Sequence, residues 1–129
     1  MAKILVAVAE PRVLKYLAEG IAAEDREIFT AGSIEAVVDQ LVEERFDIVV
    51  SDIFQPLLEG VALFSTIARS SPRTRIIALM DFQSVRAKNY DLTLWVDSVI
   101  MKPFTAERVR SEVEWVMSGA ARARPPVSA

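Results

Sequence analysis

The chain has 129 residues, 52% of them hydrophobic, a net charge of −3 and an isoelectric point near 5.0. That size suits one compact domain with a real core and makes intrinsic disorder a poor reading. An acidic domain lacks the electrostatic footprint of a nucleic-acid binder, so no nucleic-acid partner is expected. Cysteine and histidine are both absent, which excludes disulfides, thiol nucleophiles, imidazole acid–base catalysis and thiolate or imidazole metal sites. Only oxygen ligands remain, pointing to magnesium or calcium if any metal binds.

The apolar run Ile4–Ala9 is too short for a secretory signal and ends at Glu10-Pro11, so it reads as a strand buried on both faces. Pro11 suits the first turn of a helix with Val13, Leu14, Leu17 and Ile21 at helical spacing. Glu27–Thr30 is a second strand. Ser33 is placed to cap a helix whose apolar stripe is Ile34, Val37, Val38 and Leu41. Asp47–Ser51 forms a third strand, with Asp52 at its C-terminal end. Pro56 and Gly60 punctuate a loop before a helix carrying Val61, Phe64, Ile67 and Ala68. Arg75–Leu79 is the fourth strand, a short helix is expected over Ser84–Tyr90, and Val96–Met101 is the fifth strand. After Lys102-Pro103, Thr105 can cap a last helix with Val109, Val113, Val116 and Met117 inward.

Five βα units in succession predict a parallel sheet with helices on both faces and right-handed crossovers. Residues 1–119 are expected to form the domain, and 120–129, with Arg122, Arg124, Pro125 and Pro126, a disordered tail or the start of a linker. No run reaches membrane-spanning length, and a cytoplasmic location without membrane contact is the expectation. In open α/β sheets the functional crevice lies at the C-terminal strand ends, here Ala9-Glu10, Asp52, Met80-Asp81 and Lys102. Asp52 and Lys102 would meet in the middle of that edge, each favouring the charged form of the other. Taken alone, they read as a structural ion pair.

The segment Phe46–Pro56 with Gly60 resembles the phosphoacceptor segment of response-regulator receiver domains. Lys102-Pro103-Phe104 is similar to that family's Lys-Pro-Phe turn, and Lys3–Val6 with Glu10-Pro11 to the ends of its first-strand motif. The resemblance runs from residue 3 to about 118. It implies an α/β, flavodoxin-like three-layer (βα)5 sandwich with a five-stranded parallel sheet ordered 2-1-3-4-5, acting in two-component signalling rather than as an enzyme. It also implies Asp52 as phosphoacceptor, a histidine kinase as partner, and Lys102 as the phosphate's charge partner.

The chain departs from the family at other positions. Val8 and Ala9 stand where two acidic residues hold magnesium, Met80 where a Ser or Thr bonds the phosphate, and Val99 where an aromatic ring swings on activation. Glu10, one residue further on, is left as a weak metal contact reaching through water. Magnesium wants oxygen ligands in a near-octahedral array, and phosphoryl transfer needs its charge neutralised. Met80 cannot donate a hydrogen bond. A divergent, pseudo-receiver type is therefore expected, acting by protein contact, with no cofactor. Magnesium enters only if Asp52 is a working phosphoacceptor, which is the alternative reading.

A contact module needs a surface. At about 100° per residue, Trp115 falls about 145° from the centre of the last helix's apolar stripe, with Arg108 on the same side. Trp95 occupies a loop position where the resemblance leads one to expect Gly. Local packing is the plain reading of either Trp. Together they suggest that the helix expected over 84–90, the fifth strand and the last helix bind an effector or a second copy. A flavin or dinucleotide enzyme fits poorly, because Ala9-Glu10-Pro11-Arg12 lacks the glycines and hydroxyls of a phosphate loop.

Overall fold

The computed structural model of the chain describes residues 1–81 and 92–119. Five strands, β1 (Ala2–Ala7), β2 (Arg26–Ala31), β3 (Ile48–Asp52), β4 (Arg75–Met80) and β5 (Ser98–Met101), pair in parallel in the order 2-1-3-4-5. Among the described residues four helices accompany them: α1 (Pro11–Ile21), α2 (Ile34–Glu43), α3 (Leu57–Ser70) and α4 (Ala106–Met117). A 3-10 turn spans Leu92–Leu94. This is the flavodoxin-like α/β architecture. The helix expected over Ser84–Tyr90 and the tail 120–129 lie outside the described residues.

Period-two alternation divides the strand side chains between two cores. Leu5, Ala7, Val49, Ile76, Ala78 and Met80 face α2 and α3, with Val37, Phe64 and Ile67. Ile4, Val6, Val50, Ile77, Leu79 and Ile100 face α1 and α4, with Leu17, Ile21, Val109 and Val113. Both faces of the central strands are covered, which is why their sequences read as unbroken apolar runs.

The helix starts are set by side chains that satisfy otherwise orphaned N–H groups. Glu10 accepts from the N–H groups of Arg12 and Val13 at 3.2 Å each. Ser33 accepts from Ala36 N–H at 3.1 Å, and Thr105 from Arg108 N–H at 3.0 Å. Gly60 is required by space: a Cβ there would collide with the backbone of Phe54, so only glycine lets α3 start against the loop that follows Asp52.

Three expectations are corrected. The first strand ends at Ala7, and Val8 and Ala9 lie beyond it, although Val8 N–H still reaches Ala31 O at 3.0 Å. Val38 is exposed, because Val37, about 100° away on the helix, takes the inward position. The fifth strand begins only at Ser98; the chain over Trp95–Asp97 is turning out of the 3-10 helix, with the Trp95 and Val96 N–H groups both bonded to Leu92 O.

Candidate functional site

Asp52 closes β3 and Lys102 follows β5, and the sheet order brings both to one edge. Lys102 Nζ donates to Asp52 Oδ1 at 2.7 Å, and the backbone N–H of Ile53 donates to the same oxygen at 2.9 Å. Lys102 is held in turn by its own N–H, which donates to Met80 O at 2.7 Å. Buried Ser51 steadies the strand end by donating its hydroxyl to Asp52 O at 2.8 Å. The side chains are 23% exposed for Asp52 and 34% for Lys102, so the pair is open to solvent and reagents.

Two clefts flank Asp52. One, of about 320 Å³, is bounded by Val8, Glu10, Val13, Tyr16, Leu79 and the Lys102-Pro103-Phe104 turn. The other, of about 550 Å³, includes Ala9, Ser33, Glu35, Phe54 and Glu59. Val8 and Ala9 therefore face different spaces. Val8 is packed into the α1/α4 core at 2% exposure, whereas Ala9 is exposed. Glu10 stands in the first cleft with both oxygens turned to the α1 N-terminus. Among the described residues no three acidic side chains gather as a metal-ligand group. Met80 is buried in the α2/α3 layer and borders neither cleft.

The remaining candidates separate in space. Trp95 is partly buried against the α2/α3 core, with the Arg69 guanidinium 5.2 Å above its ring, a cation–π arrangement that ties α3 to the 3-10 turn. Trp115 lies on α4, across the sheet from that layer, and is about half exposed. Val99 and Met101 of β5 are exposed as well. Arg108 bonds Glu112 at 2.9 Å, and Glu112 also accepts from Ser98 Oγ at 2.9 Å, joining α4 to β5.

Several anchoring residues had no local signal in the sequence. Arg26, only 4% exposed in its side chain, donates to Asp25 at 2.8 Å, to Glu114 at 3.1 Å and to Ile21 O at 3.2 Å. Its hydrogen bond to Asp25 keeps the guanidinium pKa raised and the Asp25 carboxyl below its ordinary value of 3.8. Tyr16 Oη accepts from Ala106 N–H at 2.8 Å, fixing α1 to the start of α4 beside the Lys102 turn.

The family model for the response regulator receiver domain matches residues 4–114. The chain belongs to this family. Among curated proteins, the heme response regulator HssR of Staphylococcus aureus (strain MRSA252) is 27% identical over 117 residues, covering 91% of this chain and 52% of that protein. The chain thus spans about half the length of the curated relatives it matches. Among solved structures, the receiver domain protein from Clostridium thermocellum superimposes with a TM-score of 0.79 at 21% identity, covering 93% of this chain and 97% of that one. TrrA of Thermotoga maritima, solved with magnesium and beryllium fluoride, gives 0.74 at 25% identity, covering 88% and 97%. This chain thus has the receiver's shape, and it pairs Asp52 with Lys102 at one edge of the sheet.

Proposed function

We propose that this receiver domain acts mainly by protein contact, with weak or no magnesium-dependent phosphorylation of Asp52. The observation that carries the reading is the chemistry around that carboxylate. Val8 and Ala9 supply no oxygen ligand beyond the backbone, and Glu10 is engaged with the α1 N-terminus. Asp52, Glu10 through water and backbone carbonyls are a poor set for an ion that holds its own water tightly. Without the ion, little neutralises a phosphoryl group arriving at a carboxylate. Met80 offers no donor to an attached phosphate, and Val99 has no ring to rotate.

The alternative is a working receiver phosphorylated on Asp52 by a histidine kinase. It is favoured by the 2.7 Å Lys102–Asp52 contact, which leaves the acceptor partly exposed and its charge partner in place. A magnesium titration separates the two. Trp95 and Trp115 fluorescence and the amide spectrum near Asp52 stay unchanged at millimolar magnesium on the contact reading. A saturable change lost in Asp52→Asn supports the phosphoacceptor.

The contact surface we assign to β5 and the outer side of α4, where Val99, Met101 and Trp115 are exposed beside Arg108. An effector or a second copy of the chain is the partner of this face. A location in the cytoplasm, with no membrane contact by this domain, completes the reading.

A further inference from the structure

The geometry points to a small-molecule site in the cleft between α1 and the Lys102-Pro103-Phe104 turn, suited to an uncharged molecule with an apolar body and one carbonyl acceptor. The inference rests on the contact reading, because a metal-bound phosphoaspartate would compete for the same walls.

The cleft measures about 320 Å³, at the lower end of the range of about 300–1,000 Å³ in which ligand pockets fall. Its lining is mostly apolar: nearly buried Val8 and Leu79 form the floor, and partly buried Val13 and Phe104 stand at the sides. Val8 is decisive, since it puts an isopropyl group at the first-strand exit where the family resemblance leads one to expect a carboxylate. The polar side chains are four: Lys102 and Tyr16 can donate, and Asp52 and Glu10 carry acceptor oxygens. Lys102 uses one of its three N–H bonds on Asp52 at 2.7 Å. Tyr16 Oη accepts from Ala106 N–H at 2.8 Å and keeps its own proton to give. Both acids on the wall have partners, Asp52 through Oδ1 with Lys102 and Ile53 N–H, Glu10 through both oxygens with the α1 N-terminus.

Those facts select the ligand's chemistry. Two donors on an apolar wall call for an acceptor on an apolar body. Asp52 is compensated by Lys102 and Glu10 by the α1 N-terminus, so a ligand carboxylate would be repelled by the two acids with no free cation to pair with, and a ligand ammonium would meet Lys102 with both acids already compensated. A neutral amide or ketone does neither.

Three probes of nearly equal size decide it: benzamide, benzoate and benzylamine, titrated without magnesium or phosphodonor and read by methyl and amide chemical shifts. The expected result is saturable shifts for benzamide at Val8, Val13, Leu79 and Lys102, with a dissociation constant on the order of millimolar. Benzoate and benzylamine should bind at least about tenfold more weakly. Val13→Asp, which places a carboxylate in the first turn of α1 where helix formation tolerates it, should abolish the benzamide shifts while leaving the rest of the spectrum in place. Lys102→Met should weaken benzamide about tenfold. Absence of saturation, an equal response to all three probes, tighter binding of either charged probe, or unaltered binding in both variants would overturn the site. A phosphoryl adduct on Asp52 in a separate mass measurement would remove the contact reading, whereas failed benzamide binding without an adduct would remove only this inference.

Discussion

Putting the two missing carboxylates back tests why Asp52 should be unreactive. In Val8→Asp/Ala9→Asp the perturbations differ in kind. Ala9 is exposed beside Asp52, so its replacement adds a solvated ligand at little structural cost. Val8 is 2% exposed in the α1/α4 core, and losing a buried Val removes about 1.5–3 kcal/mol of apolar burial. Repulsion between the new carboxylates and Asp52 acts in the same direction. At roughly 4 °C per kcal/mol for a domain of this size, the metal-free variant should melt about 10 °C below the parent. Magnesium at about a hundred times its dissociation constant should return about 2.7 kcal/mol, so the variant's melting temperature should depend on magnesium while the parent's is expected not to. Differential scanning fluorimetry with and without magnesium reads the first effect, and intact mass after acetyl phosphate reads the second. The variant should gain a magnesium-dependent adduct that Asp52→Asn abolishes. A variant that binds magnesium yet takes no more phosphoryl than the parent would refute the argument that the missing carboxylates silence Asp52.

Further expectations concern the scaffold and the contact face. Trp95→Ala should cost about 3 kcal/mol in urea denaturation, since it empties a core-facing position and removes the Arg69 contact, whereas Trp115→Ala should change stability by about 0.5 kcal/mol or less. Trp115→Ala should instead lower self-association or effector affinity, read by sedimentation or titration; an unchanged value would remove the β5/α4 face from the proposal. Gly60→Ala should destabilise by about 2 kcal/mol, because the new methyl meets the Phe54 backbone, and an unaltered denaturation midpoint would contradict that geometry. Arg26→Met should cost about 2 kcal/mol through lost charge-assisted hydrogen bonds and should alter acid unfolding. The folded-state pKa of Asp25 is lowered, so its contribution is present above its ordinary value of 3.8 and is lost as pH falls through the lowered value. That part of the acid-induced loss should disappear in Arg26→Met, seen as a shallower decline of stability below pH 4.

The sheet was legible because both faces of its central strands are covered, so β1, β3 and β4 carry continuous apolar runs, rich in Ile and Val and too short for buried helices. Its edge was less so. Strand ends depend on ladder geometry rather than hydrophobicity, and apolar Val8 and Ala9 look like strand although the ladder ends at Ala7. The pair Val37–Val38 shows a second limit: adjacent apolar residues on a helix can both face the core, as Ile67 and Ala68 do, or divide, as Val37 and Val38 do, and only the packing of the helix on the sheet decides. The meeting of Asp52 and Lys102 followed from strand order, since both leave the same edge. Contacts between distant elements had no such signature. Tyr16 on Ala106, Arg26 on Glu114 and Arg69 on Trp95 join residues far apart in sequence, in patterns that local spacing does not encode.

The most direct measurement is the intact mass of the unmodified protein after incubation with acetyl phosphate or phosphoramidate and magnesium, with Asp52→Asn alongside. The account predicts an unshifted mass in both, under conditions in which the Val8→Asp/Ala9→Asp variant gains a phosphoryl group. A phosphoryl adduct on the parent chain that vanishes in Asp52→Asn would contradict it and make this domain a working phosphoacceptor.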